Sequence, residues 1–270
     1  MARTLVLFLS FVALLAESSL ASAQNDAILT PERTRSVVEA LGQSEWEALG
    51  PGLEGMELMA GSVGITALRI DPARYSFSIA LQSGQDGERV DDFGKQDQAE
   101  IAINGGFFGE KEPGKGLFPV GYLKIGKKRY SQAWSRSGGY LVIRDGRPSI
   151  TPSMDGIPDN ANAVLQSKPL LIEPGGVWAM NTNLGNLRRR SLVCLQDDDK
   201  VVLVVVTGLG MSLFEAGWLM RGSAVGGYFE CDAALALDGG GSTQLWLREE
   251  KLQNIRGDNA VHNALLISPR

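Results

Sequence analysis

The 270-residue chain has one histidine and two cysteines, which argues against a structural zinc site needing four nitrogen or sulfur ligands. It has no basic excess either. Lys and Arg number 26 against 31 Asp and Glu, a net charge of −5, which argues against nucleic acid as a partner while leaving room for a local basic pocket. There is no internal repeat, heptad pattern or low-complexity tract. No cofactor is expected; a divalent metal near Asp238 stays open as an alternative, although no acidic cluster has metal-loop spacing. After residues 5–16, no apolar run approaches the length that spans a bilayer.

The early run has a different meaning. Arg3 gives a basic start, residues 5–16 are almost wholly apolar, and Ala21-Ser22-Ala23 supplies small residues at a cleavage position. This is the pattern of a secretory signal peptide cut after Ala23. Removing Arg3 and Glu17 together leaves the charge at −5. The mature protein is expected to be secreted or periplasmic, without a transmembrane anchor. In an oxidising compartment Cys194 and Cys231 are free to pair, and both a disulfide and two buried thiols fit their apolar settings.

Residues 24–45 read as a lead-in and a short helix, with Thr30-Pro31 as its start and Val37, Val38 and Leu41 on one face. From residue 46 onward strands dominate. Residues 63–70, 75–81, 99–103, 120–125, 139–144, 163–166, 170–172, 191–195, 201–206 and 264–267 have strand character, and 201–206 lacks alternation, as a strand buried on both faces would. Residues 84–95 read as a polar loop, and 110–118 as a loop able to lie over a site. Residues 181–190, ending in Arg188, Arg189 and Arg190, read as a solvated loop. Ser212 and Glu215 have capping-box spacing for a helix reaching about Met220. The expected fold is α+β: a mixed, mostly antiparallel β-sheet core with a few flanking helices, in a single compact domain.

Two stretches stand out. Leu237-Asp238-Gly239-Gly240-Gly241-Ser242 reads as a strand exit, a carboxylate and a glycine turn before a second strand, and Ile103-Asn104-Gly105-Gly106-Phe107-Phe108 repeats the design. Consecutive glycines cost backbone entropy, and they suit positive φ or close approach of an anion to bare N–H groups. Asn-Gly and Asp-Gly also suit plain hairpin turns. A third polar-glycine exit, Thr207-Gly208, suggests that all three lie on one edge of the sheet.

The paired motifs resemble those of the phosphodiester glycosidase family, and the likeness extends over about residues 46–269. It includes residues 166–171, Arg190-Ser191, Thr207-Gly208, the helix start at 213–215 and residues 261–265. Residues 46–270 are therefore read as a phosphodiester glycosidase-like domain. The chain departs from the pattern at Lys168, where such proteins often have glycine, at Cys194, where the pattern commonly moves on to glycine, and near Val261, which lacks a usual arginine.

The resemblance implies hydrolysis of the bond between a sugar's anomeric carbon and a phosphate oxygen. Such cleavage develops oxocarbenium character and needs a carboxylate, for which Asp238 is the best placed. Arginine suits the departing phosphate because its planar fork binds phosphate bidentately, which points to Arg190. Asn104 is expected to contact a sugar hydroxyl or orient the carboxylate. Gly105, Gly106, Phe108, Thr207, Gly208, Gly239, Gly240, Gly241 and Ser242 are expected to line the substrate site. Plainer uses stand beside these: turn capping for Asp238, a reciprocal helix cap for Glu215, a packed or surface role for His262, and a turn hydrogen bond for Ser242. The expected partner is a sugar phosphodiester or an envelope glycan. A glycan-binding protein without turnover and a glycosidase of phosphate-free envelope glycans are the alternatives. The leader yields the first test: N-terminal sequencing of the exported protein should begin at Gln24, and an intact Met1 would refute cleavage.

Overall fold

A computed structural model describes residues 32–110, 112, 114–134 and 136–270. The expected signal peptide and the expected helix start at Thr30-Pro31 lie outside these residues. The largest sheet has eight strands, in spatial order Glu47–Gly50, Leu53–Ala60, Val63–Ile70, Val201–Met211, Arg188–Gln196, Cys231–Ala236, Leu170–Glu173 and Val177–Trp178. A five-stranded sheet runs Arg147–Pro152, Gly139–Arg144, Ala163–Ser167, Leu123–Ile125 and Lys128–Ser131. A four-stranded sheet runs Leu245–Leu247, Ile101–Asn104, Asn263–Pro269 and Tyr75–Leu81. A small hairpin pairs Phe108–Glu110 with Leu117–Pro119.

Every ladder between these strands is antiparallel. The parallel component of the expected mixed sheet is therefore absent among the described residues. Parallel neighbours need long crossovers, whereas most strands here join through tight turns or pass from one sheet to another.

Side-chain alternation explains the layering. In Val201–Met211, Val201, Leu203 and Val205 face the central core, while Val202, Val204 and Val206 face the opposite side. The central core also takes Phe77, Ile103 and Leu265 from the four-stranded sheet, and Leu141 and Leu165 from the five-stranded one. The large sheet thus packs on the two smaller sheets. Its outer face is covered by helices Glu32–Gly42 and Leu213–Met220, through Val37, Leu41, Ala216 and Leu219. The strand at 201–206 is buried on both faces, as its unbroken apolar run implies.

Some polar segments are more ordered than their composition suggests. Residues 84–95, read as a loop, contain most of the helix Val90–Gln96. Its buried Val90 and Phe93 share one face, Asp91 pairs with Lys95 at 2.7 Å, and Asp92 accepts from the Arg89 N–H at 3.3 Å. The three arginines begin the strand Arg188–Gln196 instead of ending a loop. Most informative is the stretch around Asp238. Its flanking strands belong to different sheets, so Gly240–Ser242 is a 3₁₀ turn that carries the chain from the large sheet to the four-stranded one.

Cys194 and Cys231 form a disulfide with Cα atoms 5.5 Å apart, joining neighbouring strands under the helical layer. It closes a loop with a sequence separation of 37 residues, and chain entropy assigns such a link on the order of 3–4 kcal/mol. The double variant Cys194→Ala/Cys231→Ala should lose about that much stability in denaturant unfolding. Equal unfolding midpoints for oxidised and reduced wild-type protein would show that the link is not made.

Candidate active site

Asn104 ends its strand fully buried, and its side chain joins three segments. Its Nδ2 donates to the Asp238 carbonyl at 2.7 Å. Its Oδ1 accepts from the Ser191 hydroxyl at 2.6 Å and from the Gln244 N–H at 3.0 Å. The Asp238 N–H in turn donates to the Gly105 carbonyl at 3.0 Å. The two glycine motifs thus meet directly, although 134 residues separate Asn104 from Asp238. The polar atoms of the Asn104 side chain all have protein partners, and its contact with Asp238 is to the main-chain carbonyl, not to the carboxylate.

The two glycine turns differ. Gly105 N–H donates to the Asn263 carbonyl at 2.9 Å, and Gly106 N–H to Asn263 Oδ1 at 2.8 Å. A Cβ at Gly105 would lie 2.0 Å from Asn263 Oδ1, so glycine is needed for this close approach. These N–H groups are therefore not free for an anion. In the other turn, Gly239 N–H donates to Asp238 Oδ1 at 2.9 Å. The N–H groups of Gly240 and Gly241 make no hydrogen bond within the described residues. Gly240 has φ +62° with open space where a Cβ would point.

Arg190 stands beside this turn. Its Nη1 and Cδ lie 3.7 Å from the place a Gly239 Cβ would occupy. Nε donates to the Met211 carbonyl at 2.9 Å and Nη2 to the Asn186 carbonyl at 2.7 Å, which fixes the plane of the fork. No carboxylate forms an ion pair with it among the described residues. Burial lowers its pKa, the neighbouring Arg188 adds to that, and Glu215 opposes it.

Glu215 itself is the reciprocal helix cap. It accepts from Ser212 N–H at 2.7 Å, while its own N–H donates to Ser212 Oγ at 3.1 Å. Arg33 holds it bidentately, at 3.2 Å through Nε and 2.6 Å through Nη2. Burial pushes its pKa up, but the Arg33 fork and the Ser212 N–H outweigh burial, and the carboxyl stays below its ordinary value. It is thus poorly suited to act as an acid.

Asp238 behaves in the opposite way. Burial raises its pKa, while the Ser242 hydroxyl and the Gly239 N–H offset part of the rise. Ser242 accordingly serves the turn and the carboxylate. His262 is buried, and desolvation lowers its pKa to about 4, so it packs as a neutral ring. Among the described residues, no three His, Cys, Asp or Glu side chains gather as a metal-ligand set.

Three expected site residues lie elsewhere. The Thr207 side chain sits over Gly64, in a surface depression with Glu57, Thr66 and Gln253. The strand bulges between its Arg188 and Arg190 pairings, which carries Thr207-Gly208 out toward Ser62. Gly208, at φ +69°, would place a Cβ 2.2 Å from the Ser62 carbonyl, so it makes that bend. Phe108 packs with Val90, Phe93 and Val261 on the outer face of the four-stranded sheet. Its neighbour Phe107 takes the opposite side and lines a cavity. Alternation could have told the two apart, had the strand been recognised. Asn263, Ser191 and Gln244 were missed as supports, since a lone polar residue beside an apolar run does not show which distant turn it binds.

Residues 97–268, more than half of the chain, match the sequence model of the family described as phosphodiester glycosidase. The chain belongs to the phosphodiester glycosidase family. Among solved structures, a hypothetical protein from Synechocystis is similar at 15% identity and a TM-score of 0.61, covering 84% of this chain and 64% of that one. This chain thus spans just under two thirds of that protein. The zebrafish N-acetylglucosamine-1-phosphodiester alpha-N-acetylglucosaminidase catalytic domain, auto-inhibited by its pro-peptide, is similar at 18% identity and a TM-score of 0.59. That match covers 84% of this chain and 88% of the zebrafish chain. At such identities the likeness shows the fold. No protein of curated function matches the chain.

Within this family member, the Asn104 bridge predicts a stability effect. Asn104→Ala would leave the Asp238 carbonyl, the Ser191 hydroxyl and the Gln244 N–H without their partner. The expected loss is about 2–5 kcal/mol in urea unfolding. An unchanged midpoint would show that the bridge is not made in solution.

Proposed function

We propose that the protein is an exported hydrolase that cleaves the glycosidic bond of a sugar-1-phosphodiester, releasing a sugar and a phosphomonoester. The carrying observation is the meeting of a half-buried carboxylate, Asp238, with an arginine edge and glycine N–H groups that have no protein partner. In this reading the phosphate lies against Arg190 and the N–H groups of Gly240 and Gly241, and Asp238 serves the anomeric carbon.

Two balanced routes fit one carboxylate. Asp238 either takes a proton from water as the water oxygen bonds to the anomeric carbon, or bonds to that carbon itself before water displaces it. In both, the carbon–oxygen bond breaks with its electron pair going to the phosphate oxygen. One water is consumed overall. The departing phosphate carries the charge, so it needs donors more than an acid, and fixed donors aimed at developing charge are an efficient form of stabilisation. The zebrafish relative's name describes a phosphodiester glycosidase, which supports the same class here. Export rests on the leader, and the Cys194–Cys231 link suits an oxidising compartment.

Asp238→Asn tests the reading. It keeps size and turn geometry but removes the charge, so turnover of sugar-1-phosphodiesters should fall at least about a hundredfold with little melting shift. Since Asp238 works ionised and burial raises its pKa, wild-type activity should fall as pH drops through a midpoint above the ordinary 3.8. Near-normal turnover in the variant would remove Asp238 from the role.

A further inference from the structure

A cavity of about 560 Å³ lies within the usual size range of small-molecule pockets. Its walls are continuous with the segments that hold Asp238 and Arg190. Phe107 follows the Asn104-Gly105-Gly106 turn directly. Pro169 accepts from the Ala236 N–H at 3.1 Å, two residues before Asp238. Leu213 lies two residues beyond Met211, and Leu184 two residues before Asn186, the two residues whose carbonyls accept from Arg190 and fix its fork.

The lining has two characters. Phe107, Met154, Met180, Leu184 and Leu213 make it largely apolar. Met154 is 67% exposed and Leu184 77%, so the rim presents large apolar side chains to water, a feature that marks binding surfaces when contiguous. The cations are local. Lys168 Nζ sits 4.5 Å over the Trp134 ring, itself 5.4 Å from Phe107, and Arg136 adds a second positive charge against the single carboxylate of Glu173.

We propose that this cleft binds the alcohol side of the phosphodiester, and that this alcohol is a long apolar chain. The substrate class is then a sugar joined through phosphate to an alkyl or isoprenoid alcohol. This rests on the hydrolase reading and adds what lies beyond the phosphate. An anionic head with an apolar tail matches the placing of charge and apolar surface: phosphate at Arg190, chain along Phe107, Met180 and Leu184, with Lys168 and Arg136 adding positive charge to the cleft. A second sugar would find polar partners at Ser137, Asn181 and Thr182 but would set its remaining hydroxyls against the apolar majority of the lining.

The test compares n-octyl phosphate with methyl phosphate by titration calorimetry on the full mature chain. The octyl ester should bind at least about tenfold more tightly, and Met154→Asp/Leu184→Asp, at exposed positions, should remove most of that preference. Equal affinities would overturn the proposal. So would a preference that the double variant leaves intact, because the chain would then dock elsewhere. A wild-type dimer that the variant converts to monomer, with no octyl preference, would assign the face to a second copy and also overturn it. Turnover separates this idea from the hydrolase reading. Equal kcat/KM for octyl and methyl sugar-1-phosphodiesters would retain the hydrolase and reject the chain site. An octyl preference in binding, without sugar release from any phosphodiester, would retain the cleft and reject the hydrolase.

Discussion

The geometry of the site depends on one buried amide. Asn104 has a donor and an acceptor at the end of a strand in the four-stranded sheet, and both are used across the boundary to the large sheet. The Asp238 turn must therefore sit where the amide holds it. A hydrogen bond in such a dry place is worth more than on the surface, and leaving its partners unmatched costs more. Gly105 and Gly106 allow Asn263 to approach closely enough to hold the first turn, and that support lets Asn104 hold the second.

The electrostatics follow from which charges have partners. Arg33 and the Ser212 N–H satisfy Glu215, which removes that carboxylate from competition for Arg190. Arg190 is held by two carbonyls, which set its orientation without neutralising it. An arginine arranged like this keeps its charge directed at whatever anion arrives, with little reorganisation. The helix Glu32–Gly42 thus bears on the site through Arg33, although it lies on the far face of the large sheet.

How much of this was legible depended on whether the information was local. The capping box at Ser212 and Glu215 is a property of four adjacent residues, and it formed as the sequence indicates. The doubly buried strand at 201–206 was equally plain, because nothing but apolar side chains occupies it. Asn104 and Asp238 were legible as candidates because two glycine motifs recur together, and Arg190 through the family resemblance and the fit of its fork to phosphate. Thr207 was misplaced because its polar-glycine pattern resembles the other two, whereas its strand bulges toward Ser62. The helix at Val90–Gln96 was hidden because charges surround the two apolar side chains that anchor it. What local sequence could not reveal was the sheet each strand joins, which tertiary packing decides.

The matched region begins at residue 97, but the large sheet does not. Three of its strands, Glu47–Gly50, Leu53–Ala60 and Val63–Ile70, come earlier; the last pairs with Val201–Gly208, and the other two extend the sheet beyond it. A chain trimmed to the region recognised by sequence would turn that valine-rich strand into an open edge. Its unpaired backbone would be a template for intermolecular association. In this protein the border of detectable kinship and the border of the large sheet are different things, and the second takes in the N-terminal strands.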